Sequence, residues 1–165
     1  MKMTCLALLV AGVLGSGAAF AQTCGAPGSW NPDATGAPPV VTDLCAGSDS
    51  VALYCSFLDS AGKNDGIYQI NLAAGFTATS ISVSGAAAGF NPVVYLYSAA
   101  CATGDSCAAS GDSGTPLSLT TPAVPPGAYF LSVTAAAADA SGACGTTTMT
   151  TNGTFPVSLQ NFSVE

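Results

Sequence analysis

Between residues 51 and 159, apolar side chains return at every second position in short runs broken by turn residues. That is the period a pleated strand imposes when one face is buried. Val51, Leu53, Cys55 and Phe57 form the first run, and Tyr68, Ile70 and Leu72 the second. Thr77, Thr79, Ile81 and Val83 share one parity in the third. In the fourth, Val94 and Leu96 point one way while Val93, Tyr95 and Tyr97 point the other. Leu117 and Leu119 suggest a fifth strand, and Tyr129, Leu131 and Val133 give a strong sixth after Pro125-Pro126-Gly127. A weaker Thr-rich segment, Thr146 to Thr151, precedes a closing strand on Phe155, Val157 and Leu159. Phe162 and Val164 fall on the other parity, which predicts a bulge or a change of partner. The run Ala135 to Ala138 is stopped by Asp139-Ala140-Ser141-Gly142 before it can nucleate a helix. Short strands in series without crossover helices predict an all-β, antiparallel sandwich of Greek-key or jelly-roll type.

The N-terminus has a different character. Met1 and Lys2 lead into an apolar run from Leu6 to Phe20 that ends in Ala19-Phe20-Ala21, the small-residue pattern read by signal peptidase. The run falls short of the roughly 20 apolar residues of a spanning helix, and no second run follows. Ala21 also stands where a lipoprotein would need a leucine-type residue three before Cys24. The expected organisation is a signal peptide over 1–21, an irregular Gly/Pro-rich arm over 22–50, and a sandwich domain over 51–165. Secreted or periplasmic residence follows, with no membrane span after cleavage. The mature chain of 165 minus 21, or 144 residues, is long enough for one core.

Charge narrows the function classes. Without Lys2, the mature chain sets Lys63 against nine carboxylates, a formal charge of 1 minus 9, or minus 8. Nucleic-acid binding needs clustered Lys and Arg to release counterions, so it is excluded. An apolar content of 49% argues against disorder despite the few charges.

Seven cysteines become six when Cys5 leaves with the signal peptide, and an even number in an exported chain implies disulfides. Cys101 is expected to pair with Cys107 across a five-residue loop, Ala-Thr-Gly-Asp-Ser. The partners of Cys24, Cys45, Cys55 and Cys144 stay open. Zinc is disfavoured because the chain holds no histidine.

Gly111-Asp112-Ser113-Gly114 resembles the nucleophile segment of trypsin-like proteases, but a serine there needs a histidine to take its proton. A single Asp-Ser-Gly loop also lacks the second carboxylate of an aspartic protease unless a dimer supplies it. A serine–lysine dyad would have to use Lys63, and its Gly- and Asn-rich surroundings read as a solvated turn. Calcium is the one cofactor the residues suggest. Asp59, Asn64 and Asp65 share one loop, and Asp105 and Asp112 lie in or beside the loop between Cys101 and Cys107, all hard oxygen donors. None has EF-hand spacing, and turn chemistry accounts for each aspartate without a metal. For binding, the residues of interest are aromatic. If Val94 and Leu96 face the core, Tyr95 and Tyr97 stand about 7 Å apart on the outer face, where they could meet successive sugar units or a flat partner. Trp30, ahead of the turn Asn31-Pro32-Asp33, either packs over the domain edge or stacks on a ligand.

The stretch from Asp65 to Leu159 resembles the bacterial pre-peptidase C-terminal domains, small β-sandwich modules attached to many secreted peptidases. The resemblance is carried by Tyr68-x-Ile70-x-Leu72 leading to Gly75, by Val94-Tyr95-Leu96-Tyr97, by Pro126-Gly127-Ala128-Tyr129-Phe130-Leu131-x-Val133, and by Gly153-Thr154-Phe155-Pro156-Val157-Ser158-Leu159. It implies a non-catalytic role in secretion, folding or substrate contact. Asn91 and Ala109-Ser110-Gly111-Asp112 stand where relatives often carry acidic residues, so no calcium site is transferred. The resulting expectation is a non-enzymatic module that binds an extracellular glycan or protein, or a partner secreted peptidase. The rival readings are a small hydrolase with paired Asp carboxylates and a protease inhibitor or stability factor. With Lys63 as the one basic residue of the mature chain, trypsin is expected to leave the native protein intact on a gel while it digests casein.

Overall fold

The computed structural model describes residues 23–32, 37–51, 53–55, 58–59, 61–72, 79–85, 87–97, 101, 107–119 and 124–153. Its strands, in chain order, are β1 (Gly28–Ser29), β2 (Val40–Asp43), β3 (Leu53–Tyr54), β4 (Leu58–Asp59), β5 (Gly66–Leu72), β6 (Thr79–Gly85), β7 (Pro92–Tyr97), β8 (Cys107–Asp112), β9 (Leu117–Ser118), β10 (Gly127–Ala135) and β11 (Thr146–Gly153). A single 3-10 turn, Leu44–Ala46, follows β2, with the Asp43 carboxylate accepting the Cys45 N–H at 3.0 Å.

Two sheets form the sandwich. The first has the order β1-β5-β10-β7-β8 and the second β2-β11-β6-β9, while β3 and β4 make a separate hairpin. Pairing is antiparallel except that β1 runs parallel to β5, with Gly28 opposite Tyr68 and Ser29 opposite Gln69. Strand β10 enters between the earlier β5 and β7, and β11 between β2 and β6. Connections that return to the middle of an existing sheet are of the Greek-key kind, so the expected class holds.

Parity decides which residues fill the space between the sheets. Tyr68, Ile70 and Leu72 of β5, Val94 and Leu96 of β7, and Tyr129, Leu131 and Val133 of β10 pack against Ile81 and Val83 of β6 and Met149 of β11. Each is buried from water, and a side chain of this size contributes roughly 1.5–3 kcal/mol on burial. The Thr-rich segment is a full eight-residue strand. Threonine's branched Cβ suits a strand, and the alternation buries Thr147 and Met149. The buried Thr147 hydroxyl is satisfied by donating to the Thr42 carbonyl at 3.3 Å.

Several expectations change. The run from Val51 to Phe57 is not one strand, because Cys55 adopts a left-handed backbone with φ of 52° and β3 and β4 pair as a hairpin around it. Strand β8 carries Cys-Ala-Ala-Ser-Gly-Asp, with no large apolar side chain to betray its alternation. The arm over 22–50 is not separate from the sandwich. It supplies β1 to one sheet and β2 to the other, and it sends Trp30 and Leu44 into the core. The expected strand over Phe155, Val157 and Leu159 and the change of parity after it lie outside the described residues.

The disulfide expectation is also corrected. Cys101 does not pair with Cys107; the bonds are Cys24–Cys101, Cys45–Cys144 and Cys55–Cys107. Cys107 opens β8 opposite Tyr97, where a bulge shifts the register, and its thiol meets Cys55 from the segment that crosses the sheet. The native bonds span 77, 99 and 52 residues of chain. Loops of that length remove about 4 to 5 kcal/mol each of unfolded-chain entropy on the loop-closure model, more than the short loop would.

Gly111 lies tight against the chain that leads from β8 into β9. A Cβ on it would lie 2.7 Å from the Thr115 carbonyl oxygen and against the Leu117 amide nitrogen, both main-chain atoms. Neither can swing aside as a side chain could. Gly111→Ala is expected to destabilise the fold by about 1–3 kcal/mol, read as a lowered thermal midpoint, whereas a Cβ on Gly25 would meet only the Thr23 hydroxyl oxygen at 3.9 Å.

Candidate functional site

The outer face of the first sheet divides into two halves. By alternation β5 presents Ile67, Gln69 and Asn71 outward, β10 presents Ala128 and Phe130, and β7 presents Val93, Tyr95 and Tyr97. At one end a second apolar cluster forms from Val51, Cys55, Ile67, Tyr95 and Tyr97, with Phe130 and the disulfides Cys24–Cys101 and Cys55–Cys107 against it. The Tyr97 and Phe130 rings stack with centroids 6.1 Å apart. The pair Tyr95 and Tyr97 is therefore no exposed platform, since these residues keep only 6% and 1% of their surface. Val94 and Leu96 face the core, which puts the two tyrosines on the outer side. A covering segment claims them.

A buried carboxylate holds that cover. Asp65, with no exposed surface, accepts the N–H groups of Ser50 and Val51 at 2.8 Å each, and its own N–H donates to the Ser48 carbonyl. Asp49 accepts the Gly62 N–H at 2.7 Å from the other side. A carboxylate with main-chain donors is a strong pin, because charge-assisted bonds are about twice as strong as neutral ones.

At the other end the face stays open as a groove of about 490 Å³, lined by Ser29, Trp30, Asn31, Gln69, Asn71 and Ala128. Trp30 is fixed there twice, its main-chain N–H donating to the Gln69 carbonyl at 3.2 Å and its indole Nε1 to the Pro38 carbonyl at 3.2 Å. The ring is 6% exposed, so it both packs at the domain edge and walls the groove. Gln69 and Asn71 point outward from alternate positions of β5, and Ala128, opposite Asn71, leaves room beside them. A smaller depression of about 250 Å³ lies over β7 and β8, between Tyr95, Ser110, Asp112 and Thr115.

Of the aspartates considered for calcium, the two whose side chains are described serve main-chain N–H groups. Asp65 is committed beneath the cover. Asp112 closes the turn after β8, its Oδ1 accepting the N–H groups of Gly114 and Thr115 at 2.7 Å each. The Asp59 side chain and Asp105 lie outside what is described. Among the described residues no three His, Cys, Asp or Glu side chains stand where they could hold a metal ion together. The same turn explains the protease-like Gly111-Asp112-Ser113-Gly114 as chain reversal between β8 and β9.

Asn31, Gln69 and Asn71 are the groove residues that sequence reasoning passed over. Gln69 and Asn71 occupy the polar positions of β5's alternation, which reads as an ordinary solvent face. Asn31 sits in a turn dipeptide. The signal available was their proximity in sequence to Trp30 and to β5, and it takes the parallel β1–β5 pairing to unite them.

No family model, curated protein or solved structure matches the chain.

Two tyrosines give a solution signature. Burial raises the Tyr68 hydroxyl above its ordinary value of 10.0, with its hydrogen bond to Thr42 opposing in part, and burial alone raises Tyr95. A folded-state pKa above the unfolded one means a stabilising contribution fully present below about pH 10 and lost as pH climbs through the folded value. In a spectrophotometric titration, Tyr68 and Tyr95 are expected to ionise late, together with alkaline unfolding. Tyr95→Phe should move that unfolding to higher pH.

Proposed function

We propose that this protein is an exported, non-catalytic binding module that engages an extracellular macromolecule through the groove between β1, β5 and β10. The observation that carries the reading is where the charged side chains are used. All five aspartates whose side chains are described accept main-chain N–H groups: Asp43 from Cys45, Asp49 from Gly62, Asp65 from Ser50 and Val51, Asp112 from Gly114 and Thr115, and Asp139 from Asn91. Lys63 is 5% exposed, and its Nζ donates to the Ala137 carbonyl at 3.2 Å. General acid–base chemistry needs a titratable group within reach of a substrate proton, and these groups are committed to holding turns and loops.

Export is supported by the Met1–Ala21 leader pattern and by the three disulfides, which persist in oxidising compartments. Among the described residues, no helix is long and apolar enough to cross a membrane. The resemblance to pre-peptidase C-terminal domains points the same way, since that family is non-catalytic. The groove itself is concave and stays open beside the end of the same face that is covered over Ile67 and Tyr97.

The purified mature protein is expected to show no turnover of glycoside, ester or peptide substrates, while binding a macromolecular ligand reversibly. Saturable hydrolysis that disappears on replacing a pair of aspartates by asparagine would assign it instead to the hydrolases.

A further inference from the structure

We propose that the groove is a glycan site that recognises a neutral, hydroxyl-rich chain through the side-chain amides of Asn31, Gln69 and Asn71, beside the buried Trp30. The proposal rests on the binding-module reading and names its ligand class. It starts from a contrast among the six described amide side chains. Asn64 donates to the Leu44 carbonyl at 2.8 Å, Asn91 to the Asp139 carboxylate at 2.8 Å, and Asn152 to the Ser82 hydroxyl at 2.6 Å. Those three serve the fold. Asn31, Gln69 and Asn71 have no side-chain hydrogen bond to the protein, and all three line one groove.

Their chemistry selects among ligands. Each amide offers two N–H donors and a carbonyl acceptor, so adjacent amides can bond vicinal hydroxyls that both donate and accept. Gln69 and Asn71 are two residues apart on one face of β5, about 7 Å along the strand, a separation that suits successive sugar units. Ser29, whose Cα pairs with that of Gln69, adds a hydroxyl beside them. The indole packs into the core and keeps only 6% of its surface, so it gives the groove a fixed wall and not a stacking face; two hydrogen bonds to main-chain carbonyls hold that wall before ligand arrives. Among the described residues that line the groove none is charged, so none of them favours an anionic or cationic ligand. A peptide strand is the weaker occupant, because at Gln69 the β5 edge is already closed by β1 and Trp30.

Trp30 is the one tryptophan of the chain, which makes the groove its own reporter. The mature protein should be titrated with soluble neutral polysaccharides (dextran, laminarin, galactomannan, xyloglucan) and with chitooligosaccharides, following Trp30 emission and migration in affinity gels. Expected is a saturable change in emission with at least one of them, little altered by salt. Gln69→Ala and Asn71→Ala should each weaken it about threefold to tenfold, as loss of a net hydrogen bond predicts. Retained near-ultraviolet circular dichroism would show that both variants fold. Glycan binding that leaves Trp30 emission and both variants unaffected would overturn the site while keeping the module reading. Binding of a defined protein ligand such as denatured casein, with no glycan bound, would overturn the ligand class. Hydrolysis of any of these chains would overturn the reading beneath it.

Discussion

Strand β5 has to satisfy three surroundings within seven residues. Tyr68, Ile70 and Leu72 face the interior between the sheets. Ile67, one step away on the other parity, faces a second apolar layer, and Gln69 and Asn71 on that same parity face open groove. Because the side-chain period is two, a slip of one residue would exchange these environments and put amides in the core. The register is fixed on both sides, by seven pairs with β10 from Leu72 opposite Gly127 to Gly66 opposite Val133, and by β1 on the other edge. Everything that distinguishes the two ends of the outer face follows from holding β5 in that register.

The few charges fit the same economy. A domain with so little charge cannot rely on surface ion pairs, which contribute little in any case. The carboxylates that are described are instead placed where the main chain leaves N–H groups without a strand partner: a 3-10 turn, the cover over Tyr95 and Tyr97, the turn into β9, and the approach to β7. Asp139 shows the pattern most fully. One oxygen takes the Asn91 N–H at 2.7 Å and the other its side-chain amide at 2.8 Å, while the Asn91 carbonyl accepts the Ala136 N–H at 2.8 Å.

Much of the fold was legible because burial writes itself as alternation. The runs on Tyr68, on Ile81 and Val83, on Val94 and Leu96, and on Tyr129 show the correct inward parity. Strand β8 was not legible, since an edge strand of small residues has little to alternate, and Gly111 is there for clearance between main chains. The arm misled for a related reason. Gly and Pro announce irregular chain, yet β1 needs only two residues to seat Trp30 on β5. Alternation separates Tyr95 and Tyr97 from Val94 and Leu96 but leaves open which pair faces the core, and it does not report what later crosses the outer side. For the same reason the groove amides looked like solvent polarity until β1 brought Asn31 beside them.

The cysteine pairing has a consequence for how the chain reaches this state. Cys24, Cys45 and Cys55 all precede residue 101, and each takes its partner from residue 101 onward. A polypeptide delivered N-terminus first thus presents three thiols before any correct mate has arrived. A compartment that oxidises thiols as they emerge would join these early cysteines to one another, and thiolate attack on such bonds would have to undo them. A chain oxidised in that order would need a shuffling catalyst, or oxidation slow enough to wait for its second half.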